Sequence, residues 1–88
     1  MGKFIETNGN VSDTKPKNGT DYQLSELQKF VGGYIEIVRL HNDKIMVVNG
    51  DGMRDKPINK LATLLAISYG YFATIYGDVL LCKQEEVK

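Results

Sequence analysis

Six polar side chains stand in apolar or turn surroundings, and their types could do chemistry: Glu36, Asn49, Asn59, Lys60, Thr63 and Asp78. Glu36 and Asn49 fall in two runs rich in β-branched and aliphatic residues. Asn59 and Thr63 lie one helical turn apart, and Asp78 follows Gly77 inside the apolar run 75–82. A carboxylate or amide in such a setting needs a partner or water. Polar groups that converge from several element ends can form the contacts of a ligand pocket. Glu36 and Asp78 as an acid–base pair would suit a hydrolase, but no nucleophile, histidine or metal-ligating cluster joins them, so no catalytic residue, metal or cofactor is expected. The same side chains also have structural uses. Asn59 can cap a helix, Asp78 can bond backbone amides, and Glu36 can pair with Arg39 or Lys60.

Other reactive residue types stand alone. Cys82 is the single cysteine and ends an apolar run, where a thiol is usually core. His41 sits beside Asn42-Asp43 in a turn and lacks the partners a ligand or general base needs. Tyr34, Tyr69, Tyr71, Phe72 and Tyr76 could stack on bases, yet no lysine- or arginine-rich stripe interleaves with them.

The elements that must position these residues follow from spacing. Phe4 and Ile5 can begin a short strand, and residues 8–21 are polar and turn-forming, a flexible loop or a long polar hairpin. Leu24, Leu27, Phe30 and Val31 recur at helical spacing, with Ser25-Glu26-Leu27-Gln28 as a capping box and Gly32 as a left-handed stop. Residues 34–40 and 45–49 read as a hairpin around His41-Asn42-Asp43-Lys44. A two-residue turn at Asn42-Asp43 would set Leu40 opposite Ile45, Val38 opposite Val47 and Glu36 opposite Asn49, on one face. Asn49-Gly50-Asp51-Gly52 is a turn cluster. Asn59 then caps a second helix running to about Tyr69, with Ile58, Leu61, Leu64, Leu65 and Ser68 as its stripe and Gly70 as its stop. Residues 75–82 read as a buried strand.

The expected domain plan is a short strand and polar flexible loop over 1–23, an α+β core over 24–82 and a charged, solvated tail over 83–88. The order β-α-β-β-α-β predicts a ferredoxin-like split βαβ, or a related antiparallel sheet with two helices. Because both hairpin faces are largely apolar at mid-strand, two short helices leave surface to cover and a homo-oligomer is expected.

Composition bounds the function. Eighty-eight residues allow one domain, and 11 Lys plus Arg against 11 Asp plus Glu give no net charge to draw the chain to nucleic acid. No apolar run approaches the roughly 18 residues of a membrane span. The opening Met1-Gly2-Lys3-Phe4-Ile5-Glu6 lacks the apolar stretch of a secretory signal, so a soluble, cytoplasmic protein is expected.

Leu27-Gln28-Lys29-Phe30-Val31-Gly32-Gly33-Tyr34-Ile35-Glu36, the hairpin end Val48-Asn49, the run Pro57-Ile58-Asn59-Lys60-Leu61-Ala62-Thr63 and the run Ile75-Tyr76-Gly77-Asp78-Val79-Leu80 resemble the DUF3846 family of small uncharacterised proteins. The resemblance covers roughly residues 24–82. It implies a setting in bacteria, phages and other mobile elements. The family pattern often carries an acidic residue directly after its hairpin asparagine, whereas Gly50 here precedes Asp51.

Residues and resemblance together predict a non-enzymatic accessory protein that binds a host protein or sequesters a small nucleotide-like metabolite. Glu36, Asn49, Asn59, Lys60, Thr63 and Asp78 would supply the polar contacts. A small enzyme on the Glu36/Asp78 pocket and a nucleic-acid adaptor are the alternatives.

Overall fold

The computed structural model describes residues 2–87. Strands β1 (Gly2–Ile5) and β2 (Val11–Thr14) precede helix α1 (Leu24–Val31), and strands β3 (Ile35–Arg39) and β4 (Lys44–Asn49) follow it. A helical turn α2 (Gly52–Asp55), helix α3 (Lys60–Ser68), strand β5 (Val79–Lys83) and a 3-10 turn (Gln84–Glu86) complete the chain. The strands form one antiparallel sheet in the order β2-β1-β5-β4-β3.

The fold is α+β, with the antiparallel sheet expected, but the arrangement differs from a split βαβ. There is an additional N-terminal strand, and β5 lies between β1 and β4, which a split βαβ would make parallel neighbours. The helices also lie on opposite faces. Leu27 and Val31 of α1 pack with Ile45, Val47, Leu80 and Cys82 on one side, while Ala62 and Ala66 of α3 pack with Ile5, Val38, Met46, Val48, Val79 and Leu81 on the other. Strands β4 and β5 are therefore buried on both faces, which explains their nearly unbroken apolar runs.

Several local expectations shift for identifiable reasons. The polar 8–21 stretch carries β2, whose sequence Val-Ser-Asp-Thr is polar because it is an outer strand with few apolar contacts. The hairpin turns at Gly9 (φ 92°). The cap of α1 is Gln23, two residues before the expected Ser25, and the Gln23 amide donates to Glu26 Oε1 at 3.0 Å. Gly32 does end it, at φ 77°. The last strand begins only at Val79, because Gly77 at φ 78° turns the chain beforehand. The tail is tied down as well. Its 3-10 turn buries Glu86, the Glu86 carbonyl accepts from the Tyr22 amide at 2.7 Å, and Val87 bridges to Tyr22.

One difference governs the candidate site. Asn42 and Asp43 both take left-handed φ values, 62° and 57°, as a tight two-residue turn requires. Yet the Leu40 amide donates to the Lys44 carbonyl (2.9 Å), so His41 is an extra, bulged residue. Its amide donates instead to the Tyr69 carbonyl at the end of α3 (3.1 Å). The register consequently moves by one: Glu36 faces Val48, Val38 faces Met46 and Ile35 faces Asn49. A one-residue shift exchanges faces between strands. Glu36 lies on the α3 side with Val38, and Asn49 on the α1 side with Val47.

The bulge rests on Gly70, which has φ +88° and whose missing Cβ would come within 2.5–3.0 Å of the His41 ring. Gly70→Ala is expected to cost about 1–2 kcal/mol, from the left-handed conformation and displacement of that ring. Urea denaturation checks the loss. Adding His41→Ala should recover the steric part and leave the backbone part.

Candidate functional site

The six polar residues singled out above are dispersed, and four have side chains engaged by the fold. Asn59 is 1 % exposed. Its Nδ2 donates to the carbonyls of Ile5 (3.0 Å) and Gly77 (2.9 Å), and its Oδ1 accepts from the Ala62 amide (3.0 Å). It caps α3, as its position predicts, and also ties α3 to β1 and to the turn before β5. Thr63 Oγ1 donates to the Asn59 carbonyl (2.8 Å) and accepts from the Ile75 amide (2.9 Å). Asn49 Nδ2 donates to the Val31 carbonyl at the end of α1 (2.9 Å), while its Oδ1 accepts from Asp51 (2.7 Å). Asp78 accepts from the Thr7 amide at 2.9 Å, which fastens the β1–β2 turn. Lys60 is exposed at the first position of α3.

Glu36 is different. It is exposed and has no hydrogen-bond or ion-pair partner among the described residues. It borders a groove of about 330 Å³ in which Val38 and Val48 form one wall, and Met53, Tyr71, Ile75 and Tyr76 line the other parts. Asn49 borders it too, with its side-chain atoms already engaged. Asp78 lines a separate concavity with Lys29 and Lys56.

The segment after Gly70 and the α2 turn form the groove's other side, supplying Tyr71, Ile75 and Tyr76 from the first and Gly52 and Met53 from the second. They meet closely at Gly52, where a Cβ would lie 3.2 Å from the Tyr76 Cβ and carbonyl oxygen. Along the groove runs β3, an outer strand bonded only to β4, so one side of its backbone is unpaired within the sheet. Sequence reasoning placed Glu36 with Val38 and Asn49 but did not bring Met53, Tyr71 and Tyr76 to them. Met53, Tyr71 and Tyr76 lie in segments without periodicity, and only the tertiary fold turns them toward Val38 and Val48.

Among the described residues, Glu36 is the only charged group lining that groove. Two phenols and an aliphatic wall supply contact area. A lone carboxylate beside apolar walls can recognise a cationic group joined to an apolar one, whereas a chemical step would require further converging groups. The thiol at the end of the apolar run 75–82 is core, as its place predicts. Cys82 is buried, and burial together with the nearby Glu86 carboxylate pushes its thiol up to about 12, so it stays protonated near neutral pH.

The family model for Domain of unknown function (DUF3846) matches residues 6–88. The chain belongs to the DUF3846 family. The match reaches well beyond the 24–82 expected from sequence motifs and takes in the β1–β2 turn, β2 and the C-terminal 3-10 turn. That extent agrees with the packing, because these parts of the DUF3846 chain join the same sheet and bond to its core. No curated protein and no solved structure matches it. Among the described residues of this DUF3846 chain no helix is long and apolar enough to cross a membrane.

Proposed function

We propose that the chain is a non-enzymatic accessory protein of the phage or mobile-element type that binds a host protein. In this reading it captures an extended basic segment along β3. The observation that carries the reading is Glu36, unpartnered on an apolar groove beside an unpaired strand edge. An added strand gains main-chain hydrogen bonds from such an edge, and side chains two apart on it point the same way. The matching segment has an arginine or lysine against Glu36 and an apolar residue two positions away, over Val38 and Val48. Charges at Glu36 and Arg39 discourage indiscriminate pairing, which supports selectivity for the partner's charge.

A labelled peptide with alternating Arg-x-Val spacing should bind in fluorescence anisotropy, and its Glu-x-Val counterpart should not. Equal binding of the two would refute the reading.

The same proposal includes self-association, through α3. Its inner residues Leu61, Ala62, Leu65 and Ala66 pack on the sheet, yet its outer side is also apolar, with Leu64 64 % and Ile67 42 % exposed and Phe72 nearby in sequence at 81 %. The expected motive was uncovered sheet faces. Each face has its helix, and the surplus apolar surface is on α3 instead. A helix apolar on both sides calls for a second partner. Two copies crossing antiparallel at Leu64 would bring each Lys60 to the carboxyl end of the other helix, where a cation is favoured. Leu64→Asp should therefore convert a dimer into a monomer in sedimentation equilibrium at micromolar concentration. A wild-type chain that is monomeric throughout would remove self-association from the proposal.

A further inference from the structure

Helix α1 lies over the β3, β4 and β5 side of its face, through Leu27 and Val31, and leaves the β1–β2 end open. There Phe4 of β1 and Phe30 of α1 meet, with ring centroids 5.0 Å apart and planes tilted by 46°. Both rings are only half-buried. They line a concavity of about 300 Å³ whose other residues include Lys15, Lys17 and Lys29. A second concavity of about 300 Å³ shares Lys29 and Phe30 and adds Lys56 and Thr7. Four lysines, from the segment after β2, from α1 and from the end of α2, thus border two adjoining hollows on a chain with no net charge. They are separated in sequence, which is why no basic stripe is visible there.

The arrangement is held in place. Pro16 is buried, and Glu26 Oε2 accepts from the Lys17 amide (3.2 Å) while Oε1 accepts from Gln23 (3.0 Å). Two carboxylates face these hollows, Glu26 in the first and Asp78 in the second, and each accepts from backbone amides. Four ammonium groups therefore outnumber two carboxylates, of which Glu26 has both oxygens and Asp78 its Oδ1 bonded to backbone amides.

We propose that this surface is a second ligand site, independent of the β3 groove, and that it takes a nucleotide. The heteroaromatic ring would lie against Phe4 and Phe30, with its phosphates reaching Lys29 and the lysine on either side. The features point to this class together. Aromatic side chains give a base a sequence-tolerant stacking surface, and lysine ammoniums are mobile point charges suited to phosphate. Each hollow is at the lower end of the range for small-ligand sites, roughly 300–1,000 Å³. One ring and a short phosphate chain divided between the two fit that scale.

The test is an NMR titration of the ¹⁵N-labelled full chain with ADP, adenosine, tripolyphosphate and an aspartate-rich peptide in parallel. ADP should shift the amides of Phe4, Thr14, Lys29 and Phe30, and bind at least tenfold more tightly than either adenosine or tripolyphosphate. Lys29→Glu, at an exposed position, should keep a folded spectrum and weaken ADP at least tenfold. Tripolyphosphate binding as tightly as ADP would reduce the site to charge alone and overturn the proposal. Tighter binding of the acidic peptide, ADP shifts confined to other residues, or no ADP binding would overturn it as well.

Discussion

Asn59→Asp is expected to be the most damaging single-atom-scale change in this protein, costing on the order of 3–5 kcal/mol. The substitution keeps size and shape and retains an acceptor for the Ala62 amide. It replaces the donor Nδ2 with a second carboxylate oxygen, directed at the carbonyl oxygens of Ile5 and Gly77. At 1 % exposure water cannot relieve that contact. A chain of this length has a total stability of roughly 4–13 kcal/mol, so the loss would consume much of it. Asn59→Ser, which can still cap but loses both donors, should fall between wild type and the aspartate variant in urea denaturation. An aspartate variant as stable as wild type would show that the three-element tie contributes little.

Asn59 also illustrates what a sequence of this kind discloses. A polar residue before an apolar helix is legible as a cap, and the stop at Gly32 and the hairpin turn at Asn42-Asp43 are legible for similarly local reasons. The hairpin register is not, because it depends on the His41 amide reaching Tyr69, 28 residues later in the chain. That one bond separates Glu36 from Asn49, which a simple turn would leave on the same face. Strand β2 is legible only as one of two readings, a polar hairpin or a flexible loop, because an outer strand tolerates the polarity that a loop also has. The C-terminal turn was hidden by its charge, although Glu86 is buried against the chain's own backbone. For the site, the sequence identifies Asn49, Asn59 and Thr63 as polar groups within apolar context. It cannot distinguish a group turned inward and saturated from one turned outward and waiting, since both have the same neighbours in sequence.

Glu36→Arg is expected to leave stability within about 0.5 kcal/mol of wild type, because an exposed side chain without partners contributes little to folding. Its effect on binding should be large. Reversing the only charge on the groove replaces an attraction with a repulsion, and affinity for an Arg-x-Val peptide should fall at least tenfold, about 1.4 kcal/mol or more. The reversed pair is the discriminating control: a Glu-x-Val peptide should bind the arginine variant better than it binds wild type. Isothermal titration calorimetry on the four combinations separates a direct charge contact from a general change in the surface. If the variant lost binding to every peptide equally, Glu36 would be acting through the shape of the edge rather than through its carboxylate.

In the proposed function β3 is the docking edge, and backbone hydrogen exchange reports on that edge directly. With the Arg-x-Val peptide at saturation, those amides of β3 that do not bond to β4 should slow markedly, while exchange in β1 and β2 at the far edge stays unchanged. Protection appearing over α3 or the β1–β2 end instead, with β3 exchanging as fast as in the free protein, would contradict it.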